Sequence, residues 1–201
     1  PPLLGVLKAN FSDGNECTAF NESALNYFSE SASIKTVVLH ARWALSVEGS
    51  RYSPETGIPY ELEDTLNELP ASASNEAVVE LGLDRVIAQL VDAGKQVIIV
   101  DSVPEIGFSV PRIIMNNLLW GKNNDVRPTR ASFNERQLST QRIFSRLRQK
   151  YPDTVFIKPA DKLCDEFCQI ELADDLLYFD DDHLSNLGAG LVAEQIKAYI
   201  R

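Results

Sequence analysis

Nothing in this chain is built to cross a membrane as a helix. No stretch approaches the roughly 20 consecutive apolar residues that a spanning helix needs, and no secretory or targeting segment is recognisable in the 201 residues. Basic residues are the minority, 19 Lys and Arg against 29 Asp and Glu, giving a formal net charge of -10. A chain of that sign repels a phosphate backbone, which argues against nucleic acid as a partner and suits a neutral substrate. Internal repeats and low-complexity segments are also missing, so solenoid and linker architectures fall away. Histidine occurs twice and cysteine three times, which confines any chemistry needing them to a few positions. What remains is a globular composition, 44% hydrophobic and 24% charged, of a length that suits one α/β domain with a sizeable core.

Helix and strand signals alternate along the chain. Residues 1–20 read as irregular, with Asn10, Asp13, Gly14 and Asn15 as turn formers, and the opening Pro1-Pro2-Leu3-Leu4-Gly5 reads as the interior of a domain. Asn21 is placed to cap a helix over 22–31. Thr36-Val37-Val38-Leu39 is a β-branched apolar run of the kind a strand buried on both faces needs, ahead of His40-Ala41-Arg42-Trp43. Residues 46–75, with Pro54, Gly57, Pro59 and Pro70, read as a long loop with at most a short helix at 62–69. A helix over 75–93 follows from the spacing of Val79, Leu83, Val86, Ile87 and Leu90, with Gly94 to end it. Residues 96–100 are the next strand, 113–120 a short helix in an irregular insertion, 132–151 a second long helix, and 154–157 the third strand. Ser185 caps a final helix whose core stripe is Leu187, Leu191, Val192, Ile196, Tyr199 and Ile200, with Gly188, Ala189 and Gly190 permitting close approach to the sheet. Helix after strand after helix is the βαβ pattern of a parallel sheet.

Cys164 and Cys168 lie four apart, within reach of a disulfide if the segment is a helical turn or tight loop. Three unpaired thiols are the competing reading, and zinc is disfavoured because neither histidine is near in sequence.

The stretch that organises the rest is Tyr178-Phe179-Asp180-Asp181-Asp182-His183-Leu184-Ser185-Asn186-Leu187-Gly188-Ala189-Gly190. A histidine three residues after an aspartate, just ahead of a helix start, suits a general base with its orienting carboxylate. The bland alternative is a solvated acidic loop with a structural histidine. This block resembles the last signature of the SGNH (GDSL-like) esterase and acyltransferase superfamily, where Asp-x-x-His supplies two members of a triad. Its longer form, Tyr-x-Asp-Asp-Asp-His-Leu-Ser-x-x-Gly-Ala, is similar to the SGNH domain fused to acyltransferase-3 membrane proteins, which acylate bacterial cell-surface sugars.

The resemblance spans essentially all residues present and implies a three-layer αβα sandwich around a flavodoxin-like parallel sheet. It also implies an opening strand with Gly-Asp-Ser, the serine being the nucleophile. No Gly-Asp-Ser occurs here: Asp101-Ser102 lacks the glycine and follows the wrong strand, and Ser12 sits in Phe-Ser-Asp-Gly, the reverse order. The expectation is therefore a domain spanning 1–201 without its N-terminal strand or strands, on the order of 40 residues as judged from a βαβ unit. An apolar strand edge at 36–39 would then stand open, a hazard that native sheets avoid. The resemblance further implies an extracytoplasmic setting, a Cys164–Cys168 disulfide, and Cys17 paired to a residue upstream.

Within that family pattern, His183 takes and returns the serine proton and Asp180 orients it, while Asp181 and Asp182 cap the helix start or stay solvated. The Gly-x-Asn-Asp block is replaced by His40-Ala41-Arg42-Trp43. Arg42 is a candidate cation for an oxyanion or carboxylate and Trp43 a candidate sugar-stacking ring, against the plainer readings of an ion pair and a core residue. His40 is read as structural, and no metal site is expected. The implied function is O-acyl transfer, foremost O-acetyl, to a hydroxyl of a cell-envelope glycan. No cofactor is expected in this domain, the acyl donor (acetyl-CoA-derived) being presented by a membrane module of the same polypeptide, tethered to the inner membrane. A carbohydrate acetylesterase with the same triad is the first competitor. A glycan-binding domain without catalysis is the second, and a metal-binding module on the Asp180–Asp182 run the third.

Overall fold

The apolar β-branched runs separated by amphipathic helices build a parallel sheet with helices on both faces. The computed structural model describes residues 1–10 and 14–200, with the backbone alone for 14 and 15. In chain order the elements are β1 (Val6–Lys8), α1 (Gly14–Glu30), β2 (Thr36–His40), α2 (Trp43–Glu48), β3 (Leu62–Asp64), α3 (Asn75–Asp92), β4 (Gln96–Val100), α4 (Val110–Trp120), α5 (Arg130–Arg136), α6 (Leu138–Lys150), β5 (Val155–Ile157), α7 (Ala160–Leu163), β6 (Glu171–Leu172), β7 (Asp175–Leu176) and α8 (Asn186–Lys197).

The central sheet runs β2-β4-β5, all parallel, with Thr36 opposite Gln96 and Ile98 opposite Val155. Because strand side chains alternate between faces, β4 feeds two cores. Val97 and Ile99 pack with Val37, Leu39, Trp43 and the buried stripes of α3 and α6. Ile98 and Val100 pack with Ile157, Val110, Leu163 and Val192 on the other side. The result is the expected three-layer αβα architecture.

Local expectations change in five places. Residues 1–20 are not irregular throughout: β1 pairs antiparallel with β3, and α1 begins at Gly14, so Asn21 lies inside the helix and donates from Nδ2 to the Pro1 carbonyl at 3.0 Å. Ser12 and its Phe-Ser-Asp-Gly context lie outside the described residues. The 46–75 segment holds β3 instead of a short helix, and α2 precedes it. The helix expected over 132–151 is two, α5 and α6, broken at Gln137 (φ -90°, ψ 0°), whose side chain is buried at the corner. β2 is buried on one face only: Val37 and Leu39 point into the core, whereas Val38 and His40 are exposed at the sheet's edge. Finally, α8 stops at Lys197, so Tyr199 and Ile200 lie exposed beyond it, while Leu187 also faces solvent.

Two features hold the start of α8 against the segment that ends β7. Ser185 caps α8, its Oγ accepting from the Gly188 amide at 3.2 Å and donating to the Leu176 carbonyl at 2.7 Å. Gly188 then approaches the Leu177 carbonyl so closely that a Cβ there would overlap it. The close approach is thus to the segment after β7 and not to the central sheet, and a Cβ at Gly190 would meet open space.

Candidate active site

The loop between β7 and α8 presents His183, and its shape follows from Asp180. Oδ1 of Asp180 accepts from the amides of Asp182 (2.9 Å) and His183 (2.7 Å), an Asx-type turn that folds the acidic run back on itself. The remaining oxygen, Oδ2, lies 2.8 Å from Nδ1 of His183. One carboxylate thus shapes the loop and orients the ring. The loop is pinned from outside by residues 104–110: the Ile106 amide donates to the Asp181 carbonyl at 2.8 Å, the Val110 amide to the Asp180 carbonyl at 3.0 Å, and the Tyr178 hydroxyl to the Pro104 carbonyl at 2.9 Å. Val103-Pro104-Glu105-Ile106-Gly107-Phe108, to which sequence gave no role, is the brace of the site.

Asp182 departs from the expectation of a solvated or capping residue. Its carboxyl is buried, with Oδ1 2.9 Å from His183 Nδ1 and Oδ2 against Nη1 of Arg42. His183 Nδ1 is therefore shared by two carboxylates. Arg42 also meets Glu105 at 2.6 Å and Glu55 at 2.8 Å, and Arg136 holds the far oxygen of Glu105 at 3.1 Å. A chain of alternating charges runs from His183 through Asp182, Arg42 and Glu105 to Arg136. Sequence spacing carried no signal for it, because its members come from four separate segments.

The charges move accordingly. Burial pushes Asp180 up, but the amides of Asp182 and His183 and the imidazole outweigh it, holding the carboxyl at about 2. Burial raises Asp182 to about 6, against the pull of Arg42 and His183. His183 is raised above its ordinary value, first by the hydrogen bond to Asp180 and then by the charge of Asp182. The Arg42 guanidinium, though desolvated, is held above its usual range by Glu55 and Glu105. The His183 side chain is 73% exposed, and among the described residues no hydrogen bond engages Nε2. A neutral His183 with its Nδ1 proton on carboxylates offers that nitrogen as a base.

The other candidates fall elsewhere. Trp43 is fully buried, donates from Nε1 to the Val100 carbonyl at 2.8 Å and packs edge-on against Phe144, so it closes the core and has no face for a sugar. Arg42 is taken up by three carboxylates, the ion-pair reading and not the oxyanion one. Ser102 is buried with its Oγ accepting from the Trp43 amide at 3.0 Å, and among the described residues no serine hydroxyl is bonded to His183. Cys164 and Cys168 are joined in a disulfide, Sγ–Sγ 2.11 Å, beside α7, and Cys17 is an exposed thiol. Asp180, Asp182 and His183 place one ligand-type atom each within 4.8 Å of one another.

Comparison with known proteins bears on the fold and the family. The periplasmic domain of a lipopolysaccharide acetyltransferase from Salmonella ser. Paratyphi A superposes with a TM-score of 0.63 over 98% of this chain and 67% of that one, at 16% identity, a likeness of fold. A search of curated protein sequences gives no match. The family model described as SGNH domain (fused to AT3 domains) matches residues 1–198, and the chain belongs to that family.

Proposed function

We propose that this domain transfers an acyl group, foremost acetyl, to a hydroxyl of a cell-envelope polysaccharide through a Ser-His-Asp mechanism. The nucleophilic serine comes from outside these 201 residues, and the domain works outside the cytoplasm, tethered by an acyltransferase-3 membrane module that presents an acetyl-CoA-derived donor. The carrying observation is His183: Nδ1 held at 2.8 Å by Asp180, Nε2 unengaged, the ring open to an incoming group. Membership of the AT3-fused family and the fold shared with a lipopolysaccharide acetyltransferase domain support the choice of reaction.

In the acylation step Nε2 accepts the serine proton as Oγ attacks the donor carbonyl, and the imidazolium is stabilised by Asp180 and Asp182. It then protonates the leaving group. In the second step His183 deprotonates the sugar hydroxyl, which attacks the acyl-serine and releases the serine. Water in place of the sugar gives a carbohydrate acetylesterase, a second reading that the exposure of His183 favours.

The test is His183→Ala in the full-length polypeptide, with the O-acyl content of the envelope polysaccharide measured by NMR. Acylation should fall roughly 1000-fold or more, with unchanged expression. The wild-type rate should rise with pH through a midpoint above 6.5, as the raised His183 loses its proton. Acylation at wild-type level in the variant would remove His183 from the mechanism.

A further inference from the structure

We propose that Arg42 is a positioning residue for His183, acting through Asp182 as the hub of an ion-pair clamp that ties the loop after β7 to the end of β2. This deepens the acyl-transfer reading and rests on His183 as its base. Asp182 is buried, with Oδ1 2.9 Å from His183 Nδ1 and Oδ2 against Nη1 of Arg42. The rest of the guanidinium is also taken up: Nη2 donates to Glu105 at 2.6 Å and to Glu55 at 2.8 Å, and Nε to Glu105 at 3.2 Å. Glu105 is fixed in turn by Nε of Arg136 at 3.1 Å, and Glu55 by Arg51. The base of the fork is rigid as well, because the Trp43 amide donates to Ser102 Oγ at 3.0 Å and its indole to the Val100 carbonyl at 2.8 Å. Only a planar, many-donor cation can hold three carboxylates at once in this way.

What the clamp supplies follows from the burial of Asp182. A carboxyl beside an imidazolium stabilises it only when ionised and in place, and burial raises Asp182 to about 6 against the pull of Arg42 and His183. The groups facing it are Asp180, Asp181 and His183 from its own loop, the Tyr178 hydroxyl ahead of that loop, and Arg42 from beyond β2. Behind Arg42 stand Glu55, Arg51, Glu105 and Arg136. Among the described residues Arg42 is the one permanent cation in contact with the Asp182 carboxylate. Without it, burial and the two neighbouring aspartates keep a proton on Asp182 to higher pH, and Nδ1 then faces a neutral acid in place of a charge. No hydrogen bond joins Arg42 to His183 among the described residues, so its influence on the ring passes through Asp182.

The experiment follows p-nitrophenyl acetate hydrolysis by the full-length polypeptide against pH, with imidazole NMR titrations of the 201-residue chain, whose two histidines are easily told apart. Arg42→Gln should lower kcat roughly 100-fold with KM changed less than about twofold. Its pH–rate midpoint should rise by about one pH unit, because the cation that favours loss of the last proton is gone. Asp182→Asn should also lower kcat but move the midpoint the opposite way, and its His183 should titrate about one pH unit lower by NMR. The double variant should cost no more in kcat than the larger single loss. Arg42→Lys, which restores the charge without the fork, should recover part of the activity, and it carries the test if Arg42→Gln loses its circular dichroism spectrum. Additive losses in kcat, or a loss of Arg42 felt mainly in KM, overturn the proposal and make Arg42 a substrate contact. Unmoved midpoints in both single variants overturn it too and leave the clamp purely structural. The NMR shift is independent of acyl transfer: if it appears while His183→Ala stays active, the base reading fails and the coupling of Asp182 to the ring stands.

Discussion

Arg42 shows how a residue can be noticed for one reason and matter for another. Its position after a strand, beside an aromatic ring, suggests a ligand-binding cation, yet its guanidinium meets Asp182, Glu105 and Glu55. Asp180 and His183 were legible because their bond is local, three residues apart and fixed by a turn that the sequence itself encodes. Asp182 was not, because its partner is an arginine just past β2, itself held by a carboxylate from the segment after β4. The two roles of Arg42 differ in stability. Removing one member of a buried pair strands the others and costs about 3–5 kcal/mol. Arg42→Gln should fall near the lower end, since a fifth of its side chain keeps water (21%), while Glu55→Gln, which leaves Arg42 its two more deeply buried partners Glu105 and Asp182, should cost under about 1 kcal/mol. Urea unfolding at pH 7 measures both. An Arg42→Gln protein as stable as wild type would return Arg42 to the ligand-binding reading.

At the scale of elements, the long helices were the most legible, because periodicity needs length. α3 carries Ser74 at its cap, accepting from the Ala77 amide at 3.3 Å, and it ends ahead of Gly94 as its spacing predicts. α3 and α6 also run side by side, with Glu76 to Arg142, Glu80 to Arg146 and Asp84 to Lys150 paired at one-turn intervals. β3 was not legible: three residues hold no period, and it exists because β1 pairs with it. What fixes that small antiparallel pair is Asp64. Arg85 donates to it at 2.8 Å, and the amides of Leu66, Glu68 and Leu69 converge on the same carboxylate, while Arg85 also reaches the Leu4 carbonyl. Arg85 first, then those amides against the effect of burial, hold Asp64 at about 2 where 3.8 is usual. The folded-state value is depressed, so the stabilisation is complete above the unfolded value and is lost as pH falls through about 2. Asp64→Asn should therefore cost about 2 kcal/mol at pH 7, with the gap to wild type closing between pH 4 and 2. A gap independent of pH in thermal melts would assign the loss to packing instead.

For the whole molecule, the alternation of helix and strand announced a parallel sheet, and β4 fulfils it by being buried on both faces. β2 does not, because no described element covers Val38 and His40, and a run of apolar residues cannot by itself say how many of its faces are covered. The two cores therefore meet only through a sheet of three strands, with β4 shared. Ile143 lies fully buried in one core and Leu163 in the other. Truncating either to alanine should cost about 2–5 kcal/mol. If the shared strand couples the halves, each variant lowers one common midpoint, seen alike by far-UV circular dichroism and by the fluorescence of Trp43, which belongs to the Ile143 core. Trp120 is already exposed and contributes little to that change. If the halves unfold separately, Leu163→Ala would shift part of the dichroism transition and leave the Trp43 midpoint where the wild type has it. The coupled outcome is expected, because β4 makes its hydrogen bonds to β2 on one edge and to β5 on the other. Loss of either core then exposes one face of the strand on which the other is built.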